Sequence, residues 1–203
     1  MNIGVVYFRQ GKYEEAIPFF DKALRLQPRA DLYSNLGTAY FFLRRYEKAV
    51  QMFEKAAAMS PNDQWFVGNL ADAYRWSGRT DEAQSTYDKA IGLAYKELQV
   101  NPHSATTMGS LALYYAKKGD STQGLQFIRR ARLIDPNSNQ LMYNEAEVQA
   151  LANHPGEALK ALREAFQKGY SPEEARNDPE LKSLEVHPEF GELLKAFSST
   201  TRK

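Results

Sequence analysis

The chain has 203 residues, with 26 Lys and Arg against 25 Asp and Glu, and it contains no cysteine. This balance of charge gives no overall field that would attract nucleic acid or an acidic membrane surface. The lack of cysteine excludes disulfides, thiolate metal sites and thiol nucleophiles. No apolar stretch approaches the roughly 20 residues of a membrane-spanning helix, and no signal segment follows Met1, so we expect a cytoplasmic chain without membrane insertion.

A set of residues recurs along the chain at an offset of 34 residues. In the second copy the set is Tyr33, Leu36, Gly37, Tyr40, Ala49, Phe53, Ala56 and Pro61. In the third copy most of it returns as Val67, Leu70, Ala71, Tyr74, Ala83, Tyr87 and Ala90. Further copies begin near residues 1, 105 and 139, and the last is degenerate because Glu145 and Gln149 replace its apolar or aromatic positions. Repetition at this period indicates a stack of similar structural units.

Each copy predicts two helices joined by a tight turn, because its apolar residues recur every three or four positions on both sides of a short polar segment. The turns carry residues suited to a left-handed backbone, namely Gly11, Gly78, Gly119 and Asn153. Arg44 holds this place in the second copy, so we expect mild strain there. Small residues at facing positions, such as Gly37 and Ala49, allow the paired helices to approach closely. The sequence therefore predicts ten repeat helices.

Two features interrupt this regularity in chain order. The second helix of the third copy is predicted from Asp81 to Val100, which delays its closing proline by seven residues. After Gly169 the period fails, and three dipeptides each resemble a helix start: Ser171-Pro172, Asp178-Pro179 and His187-Pro188. We predict roughly three short capping helices. Their apolar residues that cover the last repeat are Leu181, Leu184, Val186, Phe190, Leu193, Leu194 and Phe197.

The spacing, the Leu-Gly-x-x-Tyr and Ala-x-x-x-Phe phrases and the closing proline together resemble the tetratricopeptide repeat (TPR) family over residues 1 to about 170. The resemblance implies an all-α solenoid, a right-handed superhelix of helical hairpins whose first helices line a concave groove for peptides or partner proteins. We expect one domain over residues 1–197, with repeats at about 1–29, 30–63, 64–104, 105–138 and 139–170, a cap at 171–197 and a flexible tail at 198–203.

The sequence offers no motif for catalysis. It lacks a Gly-x-x-x-x-Gly-Lys loop, a Gly-x-Ser-x-Gly elbow and a Gly-x-Gly-x-x-Gly turn. The three histidines, His103, His154 and His187, stand beside prolines at repeat junctions and helix starts, without a second ligand at helical spacing. The basic cluster of Arg129, Arg130, Arg132, Lys117 and Lys118 is interpreted as a solvated helix face. We therefore predict a protein that is not an enzyme and uses no cofactor or metal.

The first helices carry the candidate binding residues. On a helical wheel that starts at Leu36, the packing residues span about 100°, whereas Ser34, Thr38 and Phe42 lie on the opposite side. Applied to each repeat, this places the following residues in a predicted peptide-binding groove: Ser34, Thr38, Phe42, Trp65, Gly68, Asp72, Arg75, Trp76, Gly109, Leu113, Lys117 and Tyr143. Aromatic residues here suit an amphipathic peptide, or they pack against the neighbouring first helix.

Gly68 and Gly109 each cost about 1 kcal/mol in a helix interior relative to alanine. Either a ligand backbone approaches them, or tertiary packing tolerates the weakness.

Three functions follow as hypotheses. The first is a non-enzymatic protein-protein interaction module that binds a peptide or helix of a partner in the groove. The second is a regulatory or sensor fragment of a larger bacterial signalling protein, because the chain opens without the first turn of its first helix and its end resembles repeat regions attached to serine/threonine kinases and cyclase-like proteins. The third is an array that self-associates through the open N-terminal repeat, where Ile3, Val6 and Tyr7 lack a preceding helix.

Overall fold

The computed structural model describes residues 3–198, which form thirteen helices and no strand. The ten repeat helices are α1 Ile3–Arg9, α2 Tyr13–Leu26, α3 Ala30–Phe42, α4 Tyr46–Met59, α5 Gln64–Trp76, α6 Thr80–Val100, α7 Ala105–Lys117, α8 Ser121–Ile134, α9 Asn139–Leu151 and α10 Pro155–Gln167. The C-terminal elements are α11 Pro172–Asn177, the 3₁₀ helix η1 Pro179–Val186 and α12 Pro188–Ser198. The predicted all-α repeat fold, including the long α6 and the three capping helices, is confirmed. Residues 199–203, which make up nearly all of the predicted tail, lie outside the described range.

The helices form two compact units, Met1–Tyr95 and Lys96–Lys203, which we call unit 1 and unit 2. The boundary between them falls within α6. Within unit 1, α1 pairs with α2 and α3 pairs with α4, while in unit 2 the pairs are α7 with α8 and α9 with α10. The single domain expected over residues 1–197 stays a prediction.

The turn inside each hairpin is closed by one residue with a left-handed backbone. Gly11, Gly78 and Gly119 take this role with φ of 71°, 83° and 93°. Asn153 and Arg44 adopt the same conformation, with φ of 60° and 57°. Glycine has no β-carbon to clash in this region, whereas arginine does, so Arg44 carries the backbone strain expected from its position.

Close approach of the paired helices depends on small side chains. A β-carbon added to Gly37 in α3 would lie 2.8 Å from the ring of Phe53 in α4. One added to Gly124 in α8 would lie 3.0 Å from the carbonyl oxygen of Ala112 in α7. Ala49 is fully buried, as a contact between two helices requires. The small residues of the repeat therefore set the spacing within each hairpin.

The first two capping elements, α11 and η1, begin at the predicted Ser171-Pro172 and Asp178-Pro179 positions. The side chain of Ser171 accepts a hydrogen bond from the amide of Glu174, and that of Asp178 accepts one from the amide of Glu180. Apolar residues of η1 and α12 join the core of α9 and α10: Leu181, Leu184, Phe190, Leu193 and Leu194. Val186 was expected to join them but is 80% exposed. The reason is the 3₁₀ geometry of η1, whose side chains repeat every three residues and put Leu181 and Leu184 on a face that excludes Val186.

Between residues 3 and 198, no helix is both long enough and apolar enough to cross a bilayer. The cytoplasmic location stays a prediction.

Candidate functional site

The predicted groove positions of α3 and α5 lie on neighbouring helices of unit 1, which pack on each other. One side-chain hydrogen bond connects the two helices, in which Asn69 Nδ2 of α5 donates to Ser34 Oγ of α3 at 3.2 Å. Within α3, Thr38 Oγ1 donates a hydrogen bond of 2.9 Å to the Ser34 carbonyl oxygen. Ser34 is buried, at 8% exposure, rather than open to a ligand as its place on the helical wheel predicts. Thr38 is half-buried.

Aromatic side chains form a connected series along the hairpin turns of unit 1, which we call the aromatic row. Its members, in order of contact, are Phe8, Tyr13, Phe42, Phe41, Tyr46 and Trp76. Successive ring centroids are 5.2, 4.8, 6.1, 5.4 and 5.8 Å apart. Separations of this size are typical of favourable stacked and edge-to-face aromatic pairs.

The same contact recurs in successive repeats of the aromatic row. The last residue of a first helix stacks on the first residue of the second helix in the preceding hairpin: Phe42 on Tyr13, and Trp76 on Tyr46. Phe42 and Trp76 are consequently half-buried. Their packing partners lie on the second helices of the preceding hairpins. The sequence predicted either exposure in the groove or packing against a neighbouring first helix, and neither alternative includes these contacts. A helical wheel describes one helix alone, so it could not predict partners on another helix.

The remaining groove candidates of unit 1 lie on α5. The Arg75 guanidinium carbon is 5.3 Å from the centroid of the Trp76 ring, within the range of a cation–π contact. Trp65 is 40% exposed near the start of the same helix. Asp72 accepts a hydrogen bond from the hydroxyl of Tyr87, a fully buried residue of α6, so its carboxylate helps to hold the α5–α6 hairpin. Gly68 is buried.

In unit 2 two predicted groove positions are packing positions. A β-carbon added to Gly109 in α7 would lie 2.6 Å from Leu141 Cδ2 in α9, so it is Leu141, not a ligand backbone, that approaches this glycine. Tyr143 is 4% exposed, its hydroxyl donates to Asp178 Oδ2, and its ring stacks on Tyr170 with centroids 4.0 Å apart. Leu113 is half-buried.

Lys117 belongs to a group that we call the charge cluster, made of Lys117, Tyr143, Glu147, Asp178 and Glu180, in which Asp178 is half-buried. Lys117 Nζ lies 3.9 Å from Glu147 Oε1 and 4.0 Å from Glu180 Oε1, with all three side chains at most 8% exposed. Burial, followed by the negative charge of Glu180, raises the pKa of Asp178 from 3.8 to about 6. Burial also raises the pKa of Tyr143 well above 10, with a smaller contribution from the charge of Asp178. Sequence reasoning missed the cluster, because Glu180 and Asp178 reach it from the cap.

Comparison with known proteins identifies the repeats. Models of the tetratricopeptide repeat match residues 1–62 and 43–97. Residues 1–97 carry tetratricopeptide repeats. No curated protein gives a significant match to the sequence.

Three solved structures share the TPR fold of this chain. A thermophilic TPR protein of Thermus thermophilus, TTC0263, is 19% identical, with 98% of this chain and 95% of that one covered and a TM-score of 0.61. PilW, a type IV pilus biogenesis factor, is 16% identical over 99% of this chain and 92% of its own, with a TM-score of 0.55. The Pseudomonas aeruginosa pilF protein is 16% identical over 98% and 87%, with a TM-score of 0.53. Identities this low show a common fold alone.

Unit 1 carries the half-buried aromatic side chains Phe42 and Trp76 and the exposed Trp65, whereas unit 2 carries the charge cluster. Residues 3–198 contain no group of three or more His, Asp or Glu side chains arranged to hold a metal ion. His154 Nδ1 lies 3.0 Å from Gln149 Oε1 at the surface of the last hairpin. Partly exposed aromatic side chains such as those of unit 1 are of the types enriched in protein-protein interfaces.

Proposed function

We propose that this TPR chain is a non-enzymatic interaction module that binds a peptide or helix of a partner protein along α3 and α5 of unit 1. The observation that supports the proposal is a set of partly exposed aromatic side chains on these helices, Phe42, Trp65 and Trp76, which we call the aromatic surface. Phe42 and Trp76 are only half-buried, and Trp65 is 40% exposed. Repeat solenoids bind their partners over surfaces built from successive units, and this surface spans two of them.

The side chains on this surface are of the types that dominate binding energy in interfaces, where tryptophan, tyrosine and arginine are enriched. Trp76 contacts both the Tyr46 ring and the Arg75 guanidinium before any partner arrives. A side chain that is already oriented loses less conformational entropy on binding, which favours affinity. Arg75 supplies a charged group beside the Trp76 ring.

Trp65 and Trp76 allow a direct test. They are eleven residues apart on α5, so their directions differ by only about 20° around the helix. A partner that covers this face is expected to change tryptophan emission. Trp76→Ala is expected to weaken the binding of a partner isolated by pull-down by roughly thirtyfold, because loss of a central aromatic anchor costs about 2 kcal/mol or more. Fluorescence titration measures both effects.

Tyr95→Ala provides the control. Tyr95 is 41% exposed and lies on α6 rather than on α3 or α5, and its removal is expected to leave affinity unchanged. If emission stays constant and folded Trp76→Ala binds with full affinity, the proposal fails. Loss of affinity in Tyr95→Ala instead would move the site to the long helix α6.

A further inference from the structure

A cavity of about 360 Å³ lies in unit 2, where the first residues of α10 meet the beginning of α12. We call it the α10–α12 cavity. Its volume falls at the lower end of the range of small-molecule sites, about 300–1,000 Å³. One side of it belongs to the last hairpin and the other to the cap, because α10 is a repeat helix and α12 is a capping helix.

The charged groups of the α10–α12 cavity are mostly basic. Lys160, Arg163 and His187 line it together with one acidic residue, Glu189. Among residues 3–198, the side chains of Lys160 and Arg163 make no ion pair and no hydrogen bond. Lys160 also lines a neighbouring cavity that contains Glu157, and it forms no ion pair with that carboxylate within the described range. Two permanent positive charges and an imidazole therefore stand beside a single carboxylate, which favours a bound anion.

A phosphate group matches these basic side chains better than a carboxylate does. A phosphate monoester carries close to two negative charges at pH 7 and offers three acceptor oxygens. A guanidinium such as that of Arg163 binds phosphate through two parallel hydrogen bonds, and an ammonium such as that of Lys160 binds it as a point charge. Pro155 and Leu159 line the same cavity and provide apolar surface for the organic part of a ligand.

We propose that the α10–α12 cavity binds a small phosphate monoester. Its phosphate group lies among Lys160, Arg163 and His187, and its organic part packs on Leu159 and Pro155. The inference concerns unit 2 and does not rest on the function proposed for unit 1. A ligand bound here contacts both the last hairpin and the cap, so it stabilises the docked cap by binding to that state alone.

NMR titration of the full chain at constant ionic strength tests the proposal with two probes, inorganic phosphate and phenyl phosphate. The chain has three histidines, and of these His187 lines the cavity whereas His103 lies at the junction between α6 and α7. The ring resonances of His187 are expected to shift saturably, while those of His103 stay in place. Phenyl phosphate is expected to bind about tenfold more tightly than inorganic phosphate, since its ring leaves water on contact with the apolar lining.

Equal, unsaturated shifts of His103 and His187 would show general screening of charge and overturn the proposal. Equal affinities for the two probes would overturn the assignment of a monoester, because the organic part would then contribute nothing.

Arg163→Gln separates the site from the overall charge of the protein. Because Arg163 has no ion pair or hydrogen bond among the described residues, the variant is expected to fold, which its circular dichroism spectrum checks. Its affinity for phenyl phosphate should fall by about tenfold, through loss of a charge-assisted bidentate contact. Lys182→Gln is the matched control, since this exposed lysine of η1 does not line the cavity. Unchanged affinity in Arg163→Gln, or an equal loss in both variants, would refute the site.

Discussion

Arg44 shows backbone strain at the level of a single residue. It adopts φ of 57° at a position where three of the other four hairpins of the chain have glycine and the fourth has asparagine. A left-handed backbone brings the β-carbon of an ordinary residue close to the following carbonyl oxygen, at a cost of about 1–2 kcal/mol. Comparison of the repeats predicts this strain from sequence, because the equivalent residues are known once the period is known.

Arg44→Gly is expected to raise the free energy of unfolding by about 1 kcal/mol, since the strain disappears and the exposed side chain buries little surface. Urea denaturation followed by circular dichroism measures the change. Gly78→Ala is the matched opposite: with φ of 83° and no atom within 4 Å of an added β-carbon, only backbone strain opposes it. It should lower stability by about 1 kcal/mol. Equal effects of the two substitutions would contradict this account.

Gly37→Ala tests the close approach of α3 and α4. The added methyl group would meet three atoms of the Phe53 ring at 2.8–3.1 Å, and Phe53 is only 2% exposed, so the ring can shift only against other atoms of the core. We expect stability to fall by about 1–3 kcal/mol, as for other overpacked cores. Gly92→Ala, in the exposed part of α6 with no neighbouring atom, should instead raise stability by up to about 1 kcal/mol. Calorimetric melting of both variants decides the matter.

Helices of unit 2 are joined by Arg132, which lies on α8. Its Nε donates to Glu145 of α9 at 2.9 Å, its Nη2 to Glu164 of α10 at 2.7 Å, and its Nη1 to the Pro136 carbonyl oxygen at 2.8 Å. Lysine cannot make three such bonds in these directions, because only the planar guanidinium has a fixed fork of donors. One side chain therefore connects three helices.

Arg132→Lys is expected to destabilise the protein by about 2 kcal/mol, since hydrogen bonds to charged groups are lost while Glu145 and Glu164 stay half-buried. Arg129→Lys, at an exposed position three residues earlier, should change stability by less than about 0.5 kcal/mol. Chemical denaturation of the two variants under identical conditions provides the comparison. A loss of the same size at both positions would show that helix propensity, and not the three bonds, is responsible.

At the scale of elements, sequence predicts what local spacing determines and misses what distant residues determine. The bounds of α6, expected at Asp81–Val100 and observed at Thr80–Val100, follow from apolar periodicity. The 3₁₀ form of η1 does not, because its hydrogen bonds depend on how it docks onto α9 and α10. Arg132 was interpreted as part of a solvated face, since its partners lie 13 and 32 residues away in sequence.

For the whole molecule, the repeat period predicts the architecture, whereas the candidate site needs coordinates. A helical wheel gives the direction of a side chain but not the neighbour that covers it. Ser34, Gly109 and Tyr143 all point away from their own hairpin core, yet Asn69, Leu141 and Asp178 meet them there. Self-association and attachment to a larger signalling protein stay predictions, to be tested by sedimentation and by the full gene sequence.

The two units differ in their chromophores. Trp65 and Trp76 are the only tryptophans of the chain, and both belong to unit 1. Unit 2 contains tyrosine but no tryptophan, so selective excitation of tryptophan produces no direct emission from unit 2. A change in the tryptophan emission of the intact protein therefore reports on unit 1. Tryptophan fluorescence therefore follows changes around Trp65 and Trp76, and a tryptophan introduced beside η1 would provide a separate signal from the cap.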